Sequence, residues 1–316
     1  MANVIIEPGQ MSQLAFDIRN MFTESMELFS IVKPNILDWR NGAPRITFTS
    51  ETHSVEYDDT RRDEPILNRV ELREVGAQRT RYEHNIILPL TQQETISAEA
   101  KASIINDYKT DVVNDASKNG TITFLQDTVG KIDFDGEFAN NRVFYNYKAS
   151  GHVDNQRGLT YAQIFHAKVM LASRRLSSKD LVIIAPVSLQ ETLGNSVEFQ
   201  KQISGMDGGV FDEQAMYRTK GIPTWWVPDE LMVEAGLSSN NIDATGAYGL
   251  YVYILRGADT YFITSLGSEV LFNGEPFIKE DPDYKRHWGH ALFTTYAMGA
   301  TMKNHKNAIR ISCRLS

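Results

Sequence analysis

The chain has 316 residues, 42% of them hydrophobic and 23% charged, which is enough apolar material for a sizeable core and two domains and excludes a disordered polymer. Its net charge of −8 and isoelectric point near 5.4 exclude a protein whose whole surface tracks nucleic acid, leaving room only for a local basic patch.

In chain order, the opening MANVIIEPGQMSQLAFDIRN lacks a basic start, and Glu7 and Asp17 interrupt any apolar run long enough for a signal peptide. No stretch reaches the roughly 18 apolar residues of a membrane span. The expectation is a protein made and used in the cytoplasm, or in something assembled there. Residues 10–31 place Leu14, Ile18, Met21, Phe22, Met26 and Phe29 near helical spacing, with Phe16 and Leu28 off the stripe, which predicts one amphipathic helix ending at Lys33-Pro34. Asn41-Gly42 and Pro44 mark a turn.

From Arg45, Ile46 and Phe48 alternate with polar residues, a strand pattern. The stretch RRDEPILNRVELREVGAQRTRYEHN (residues 61–85) then interleaves acids and arginines, with Val70 and Leu72 alternating before the run Ile86–Leu88. The pattern predicts a long two-stranded hairpin with a charged tip, its arms reaching on the order of 60 Å. A lone ribbon of this kind is marginal in water, so something outside it should hold it.

Thr91 and Glu94 have capping-box spacing, and Ala100, Ile104, Tyr108, Val112 and Ala116 form one face of a helix predicted over 91–118, closed by Asn119-Gly120. Short strands are predicted in TITFL, GKIDFDGEF and RVFYNY. A second capping box, Thr160 with Gln163, opens a helix over Tyr161–Leu176, with Leu159 and Ile164 as its staple. LVIIAP reads as a buried strand feeding a helix capped by Ser188 and Glu191. Glycine-rich loops then flank the strand GIPTWWVP, and strands YGLYVYILRG, TYFITSLG, HALFTTYAMGATM and AIRISCRL follow. Cys313, the only cysteine, excludes an intrachain disulfide, suits a reducing compartment and reads as a buried strand residue. The mixed order of strands and helices predicts an α+β fold.

No motif selects an enzyme. Neither G-x-G-x-x-G nor G-x-x-x-x-G-K-[ST] nor G-x-S-x-G occurs where its chemistry would need it. His287 and His290 lack the H-E-x-x-H context, and Asp133 and Asp135 in DFDG lack the later ligands of a calcium loop, so a solvated turn is expected there. Trp225 and Trp226, between prolines in a strand context, read as packing residues. No catalytic, cofactor or metal site is expected. For the charged stretch, five carboxylates among six arginines cancel most of the field a nucleic-acid arm needs. Interleaved charges on an extended ribbon fit an interface arm that pairs with a neighbour and fixes register, with a solvated hairpin face as the plainer alternative.

The whole order of elements resembles the major capsid proteins of tailed bacteriophages with the Hong Kong 97-like fold. The most specific parts are LVIIAPVSLQETLGNSVEFQKQ, MYRTKGIPTWWVPD and DPDYKRHWGHALFTTYAMGATMKNHKNAIRISC. The resemblance implies an N-terminal arm (1–40), an extended β-hairpin loop (41–90), a spine helix with the first part of a peripheral domain (91–175), an axial domain (176–274) and the second part of the peripheral domain (275–316). Glycine-rich 204–209 or the 236–247 loop would line the capsomere axis. It implies self-assembly as hexamers and pentamers into an icosahedral shell around double-stranded DNA, without sequence-specific binding, in a virion built in the host bacterial cytoplasm. A separate scaffolding protein, a portal and a decoration protein would be the other partners. Interface residues expected on the loop are Arg61, Arg62, Asp63, Glu64, Arg69, Glu71, Arg73, Glu74, Arg79, Arg81 and Glu83. The type member welds its shell through a lysine on this loop, but no lysine occurs here between Lys33 and Lys101, so no such crosslink is expected. The same fold in an encapsulin, a cellular nanocompartment enclosing an enzyme, is the alternative reading.

Overall fold

The computed structural model describes residues 8–38, 45–49, 72–76, 80–89, 98–144, 158–174, 176–177, 179–194, 218–219, 221–237, 239–242, 248–264, 278–280 and 289–313. The N-terminal stripe folds as two helices instead of one. Helices α1 (Pro8–Ser25) and α2 (Glu27–Ile31) are separated at Met26, whose backbone is extended (φ −83°, ψ 107°). A continuous helix would set residues 26 and 28 on different faces; the break lets Met26 and Leu28 join Leu14, Ile18 and Phe22 in the core, while Phe16 stays exposed.

Helix α3 (Ala98–Asp127) is about 45 Å long at its 30 residues. The predicted stop at Asn119-Gly120 is corrected, because the helix runs straight through it. Gly120 serves close approach: a Cβ there would lie 2.8 Å from Met26 Cε and 3.4 Å from both Met298 Sδ and Phe262 Cζ. The predicted strand TITFL is the last part of this helix, and residues 121–125 are all buried. Burying Ile122, Phe124 and Leu125 contributes about 1.5–3 kcal/mol each, against about 0.5 kcal/mol of helix propensity lost per β-branched residue, so burial decides. Thr91 and Glu94 lie outside the described residues.

Among the described residues the strands form three sheets. The first orders β1 (Asn35–Asp38), β11 (Thr260–Thr264), β13 (Gly289–Met302) and β12 (Ile278–Glu280), with β4 (Thr80–Pro89) also on β13. The second runs β5 (Arg142–Val143), β14 (Ala308–Cys313), β10 (Tyr248–Arg256), β6 (Leu181–Pro186), β8 (Ile222–Val227) and β7 (Arg218–Thr219), with β9 (Ser239–Ile242) on β10. The third is the ribbon β2 (Arg45–Thr49) with β3 (Leu72–Gly76). The hairpin expectation is thereby corrected in part. The run Ile86–Leu88 pairs with Leu292, Ala291 and His290 of β13, and among the described residues five on each side form the ribbon, Arg45 facing Gly76 and Thr49 facing Leu72. The backbone hydrogen bonds of 80–89 are satisfied by the 14-residue β13, a longer partner than β2 offers.

Strand β6 is apolar throughout because it is covered on both faces. Val182 and Ile184 enter one core with Trp225, Tyr253, Phe124 and the α1 residues, whereas Leu181, Ile183 and Ala185 enter a second with Trp226, Val252, Ile254 and Ile311. Helix α4 (Tyr161–Ala172) closes the second core and stops four residues short of the predicted Leu176. Its predicted capping box is present: Gln163 N donates to Thr160 Oγ1 at 3.3 Å, and Thr160 N donates to Gln163 Oε1 at 3.0 Å. Helix α5 (Ser188–Gly194) begins at Ser188 itself, and the acceptor for the Ser188 N–H is Asp229 Oδ1 at 3.1 Å, from helix α6 (Asp229–Glu234).

Two further readings are revised. The segment GKIDFDGEF is a 3₁₀ turn at Val129–Lys131 and then turns, where Asp133 accepts from the Gly136 and Glu137 N–H groups, a side chain replacing a ladder partner. The 236–247 loop contains β9. Strands β12 and β13 lie in one sheet and β14 in another, while β11 joins the first sheet and β5 the second.

Candidate functional site: assembly surfaces

Of the charged residues singled out in the sequence, four lie among the described residues. Arg73 and Glu74 occupy successive positions of β3, opposite Phe48 and Thr47 of β2. Arg81 and Glu83 lie on β4, opposite Ala297 and Thr295 of β13. Arg61, Arg62, Asp63, Glu64, Arg69, Glu71 and Arg79 fall outside the described residues, as do His287 and the 204–209 loop. His290 stands on β13 opposite Leu88. Among the described residues no group of three or more histidines, cysteines and carboxylates is arranged to hold a metal ion, and no helix is long and apolar enough to cross a membrane.

What the described residues do assemble is a platform of helix α3 packed on β13 of the first sheet. Helix α3 is fastened along β13 by polar contacts at three points. Tyr108 Oη and Thr294 Oγ1 are 2.6 Å apart, and burial pushes the Tyr108 hydroxyl up to about 12, with the Thr294 hydrogen bond opposing. Asn119 donates to Tyr296 Oη at 2.9 Å, which donates on to Asp115 at 2.7 Å. At the far end the Ala300 N–H donates to the buried Asp127 carboxylate at 3.4 Å. The N-terminal helix is fastened to the same spine by Lys109 and Asp17 at 2.5 Å, a hydrogen bond that holds the Asp17 carboxyl below its ordinary value.

The turn after α3 ties this platform to the second sheet. Asp135 accepts from Arg310 of β14 at 2.7 Å and from Arg142 of β5 at 2.6 Å. The Arg310 hydrogen bond is the main reason its carboxyl sits below the usual range. A second node joins the β10–β11 turn to the β13–β14 turn, where Asn307 donates to buried Asp259 at 2.6 Å. The Arg310–Asp135 and Asn307–Asp259 joints were invisible in the sequence, since their partners lie 175 and 48 residues apart. Trp225 and Trp226 are buried on opposite faces of β8, in the two cores, and Cys313 is a buried strand residue whose thiol is pushed up by burial.

The arrangement offers surfaces and joints. Among the described residues the ribbon β2–β3 belongs to neither large sheet, and the outer side of α4 leaves Phe165 and Val169 exposed. The first was legible in the sequence as alternating charge; the second was hidden because a four-residue apolar spacing on a helix ordinarily means core.

No family model matches the sequence, and no curated protein matches it. Backbone comparison with solved structures does find relatives. The capsid structure of the cyanophage P-SCSP1u is similar at a TM-score of 0.56 and 10% identity, over 91% of this chain and 88% of that one. The capsid asymmetric unit of cyanophage Pam1 gives 0.56 and 9% over 89% and 88%, and the mature capsid of bacteriophage PhiM1 gives 0.54 and 10% over 88% and 85%. At such identity the shared property is the path of the backbone, and by that path the chain has the α+β fold of bacteriophage capsid proteins, the Hong Kong 97-like class its sequence resembles.

Proposed function

We propose that this chain is the major capsid protein of a tailed phage, assembling as hexamers and pentamers into the icosahedral shell that encloses the double-stranded DNA genome. The single observation that carries the reading is backbone similarity to phage capsid subunits over 88–91% of the chain. Its work is done by interface geometry, and no reaction is assigned to it. The charged ribbon and its flanks, Arg73 and Glu74 included, contact neighbouring subunits, which supplies the outside support that an isolated two-stranded ribbon needs. The resemblance extends the partners to a separate scaffolding protein, a portal and a decoration protein, with assembly in the host cytoplasm and residence in the virion.

The net charge of −8 gives the coat little attraction for DNA, so the subunit contacts contain the packaged genome and the coat does not bind it. Expression of the full chain, with and without its scaffolding partner, followed by electron microscopy and assay of nuclease-protected nucleic acid, tests the reading. Closed icosahedral shells are expected. Failure to form any regular assembly would overturn it, and small shells filled with a cellular enzyme would mark an encapsulin instead.

A further inference from the structure

Helix α4 is apolar on two faces. Its inner face, Ile164, Ala167 and Leu171, is fully buried in the second core. Residues 165, 169 and 172 form another stripe at helical spacing, leaving Phe165 57% and Val169 48% exposed and Ala172 exposed as well. A surface helix is ordinarily polar opposite its buried stripe, and while single exposed apolar side chains are commonplace, a stripe along a whole helix marks a contact. This helix packs over β14 and β5, at one edge of the seven-stranded sheet. Just beyond it, Arg174 donates to the Lys306 carbonyl and to Asn141 Oδ1, both uncharged acceptors, so this edge combines an apolar stripe with a positive charge.

Toward the other edge the surface is complementary. Helix α5 packs over β6, and α6 follows β8, with the Ser188 N–H bonded to Asp229 Oδ1 holding the starts of the two helices together. There Val187 is 42% exposed, with the exposed carboxylates of Glu191 and Glu230 beside it on α5 and α6. An apolar stripe flanked by a cation on one side and an apolar residue flanked by acids on the other are different patches of one chain. Patches of that kind join copies head to tail, an arrangement that closes into a ring when the rotation between copies permits.

We infer that the outer face of α4 docks on the Val187–Glu191–Glu230 surface of a second copy of this chain, in a head-to-tail contact that builds the capsomere ring. The inference rests on the shell reading for its partner. Two variants of the full chain test it. Phe165→Glu places a carboxylate against acids and should lower particle yield about tenfold or more without moving the thermal midpoint of the isolated subunit. The pair Val169→Cys with Val187→Cys, oxidised in assembled material, should give a covalent ladder on non-reducing gels that neither single variant gives; Cys313 is buried and does not compete. Wild-type assembly yield from Phe165→Glu, or assembled material without a ladder, would overturn the contact. So would a dimer band from Val169→Cys alone, which would set two α4 faces against each other. Crosslinked rings that never close into shells would uphold the contact while removing the shell reading, and a wild-type chain that stays monomeric would remove both.

Discussion

Arg310 and Asp135 form a forked pair, with Nη2 donating to Oδ1 at 2.7 Å and Nη1 to Oδ2 at 3.3 Å, while the guanidinium carbon lies 5.3 Å from the Phe134 ring centre and 4.6 Å from that of Tyr251. Most of the arginine is covered, at 13% side-chain exposure, whereas the aspartate is 69% exposed. The two partners therefore carry unequal weight. Arg310→Ala loses ring contacts as well as charge and should cost about 1–3 kcal/mol, but Asp135→Asn, at an exposed carboxylate, should cost less than about 1 kcal/mol.

The same pair sets a pH dependence. Arg310 and then Arg142 hold the Asp135 carboxyl below its ordinary value. A group lowered in the folded state contributes stability that is fully present above its unfolded value, about 3.9, and is lost as pH falls through the folded one. Thermal midpoints of the wild-type subunit and Asp135→Asn should differ at neutral pH and converge below about pH 4. A difference that stays constant down to the acid limit would show that the charge on Asp135 contributes nothing.

Two glycines should respond oppositely to alanine. At Gly257 an added Cβ would lie 2.2 Å from the Val32 carbonyl oxygen, a backbone atom anchored by the α2 terminus, so Gly257→Ala should destabilise by about 1–3 kcal/mol. At Gly120 the nearest atom is the flexible end of Met26, 2.8 Å away, and the helix gains about 1 kcal/mol in propensity. Chemical denaturation should place Gly120→Ala within about 1 kcal/mol of wild type; equal losses at both sites would contradict this account.

Charge reversal on the ribbon separates assembly from folding. Arg73→Glu should leave the subunit's stability within about 0.5 kcal/mol and reduce shell yield, read by sedimentation of assembled material. Unchanged yield would return the ribbon to a solvated hairpin.

The segment from Lys33 to Lys101 offers no amine between those two residues. Assembled particles boiled in detergent should run as a single monomer band. A covalent ladder in the wild-type protein would show a weld of another kind.

Local sequence was a good guide wherever a residue's partners lie within a turn or two of chain. The Thr160–Gln163 capping box spans three residues and appears as expected; the apolar run LVIIAP forms β6, buried at all six positions; and Leu14, Ile18 and Phe22 bury the stripe their spacing defines. Distant partners overruled local preference elsewhere. Asn119-Gly120 reads as a helix stop by turn chemistry, yet the helix continues through it, with Met26, Phe262 and Met298 packed against Gly120. Residues 80–89 alternate like a hairpin arm, yet pair with a strand some two hundred residues later in the chain.

By itself the sequence determined the α+β class, the strand-to-helix junction at β6 and the shortage of apolar residues in the charged ribbon, because periodicity, caps and composition are properties of neighbours along the chain. Only the tertiary structure decided which strands share a sheet, that α3 passes through Gly120, that Arg310 lies between two rings on Asp135, and that α4 turns an apolar stripe outward. Each of those depends on which surfaces meet across long stretches of chain, and burial there outweighs the fractions of a kcal/mol that local propensity contributes.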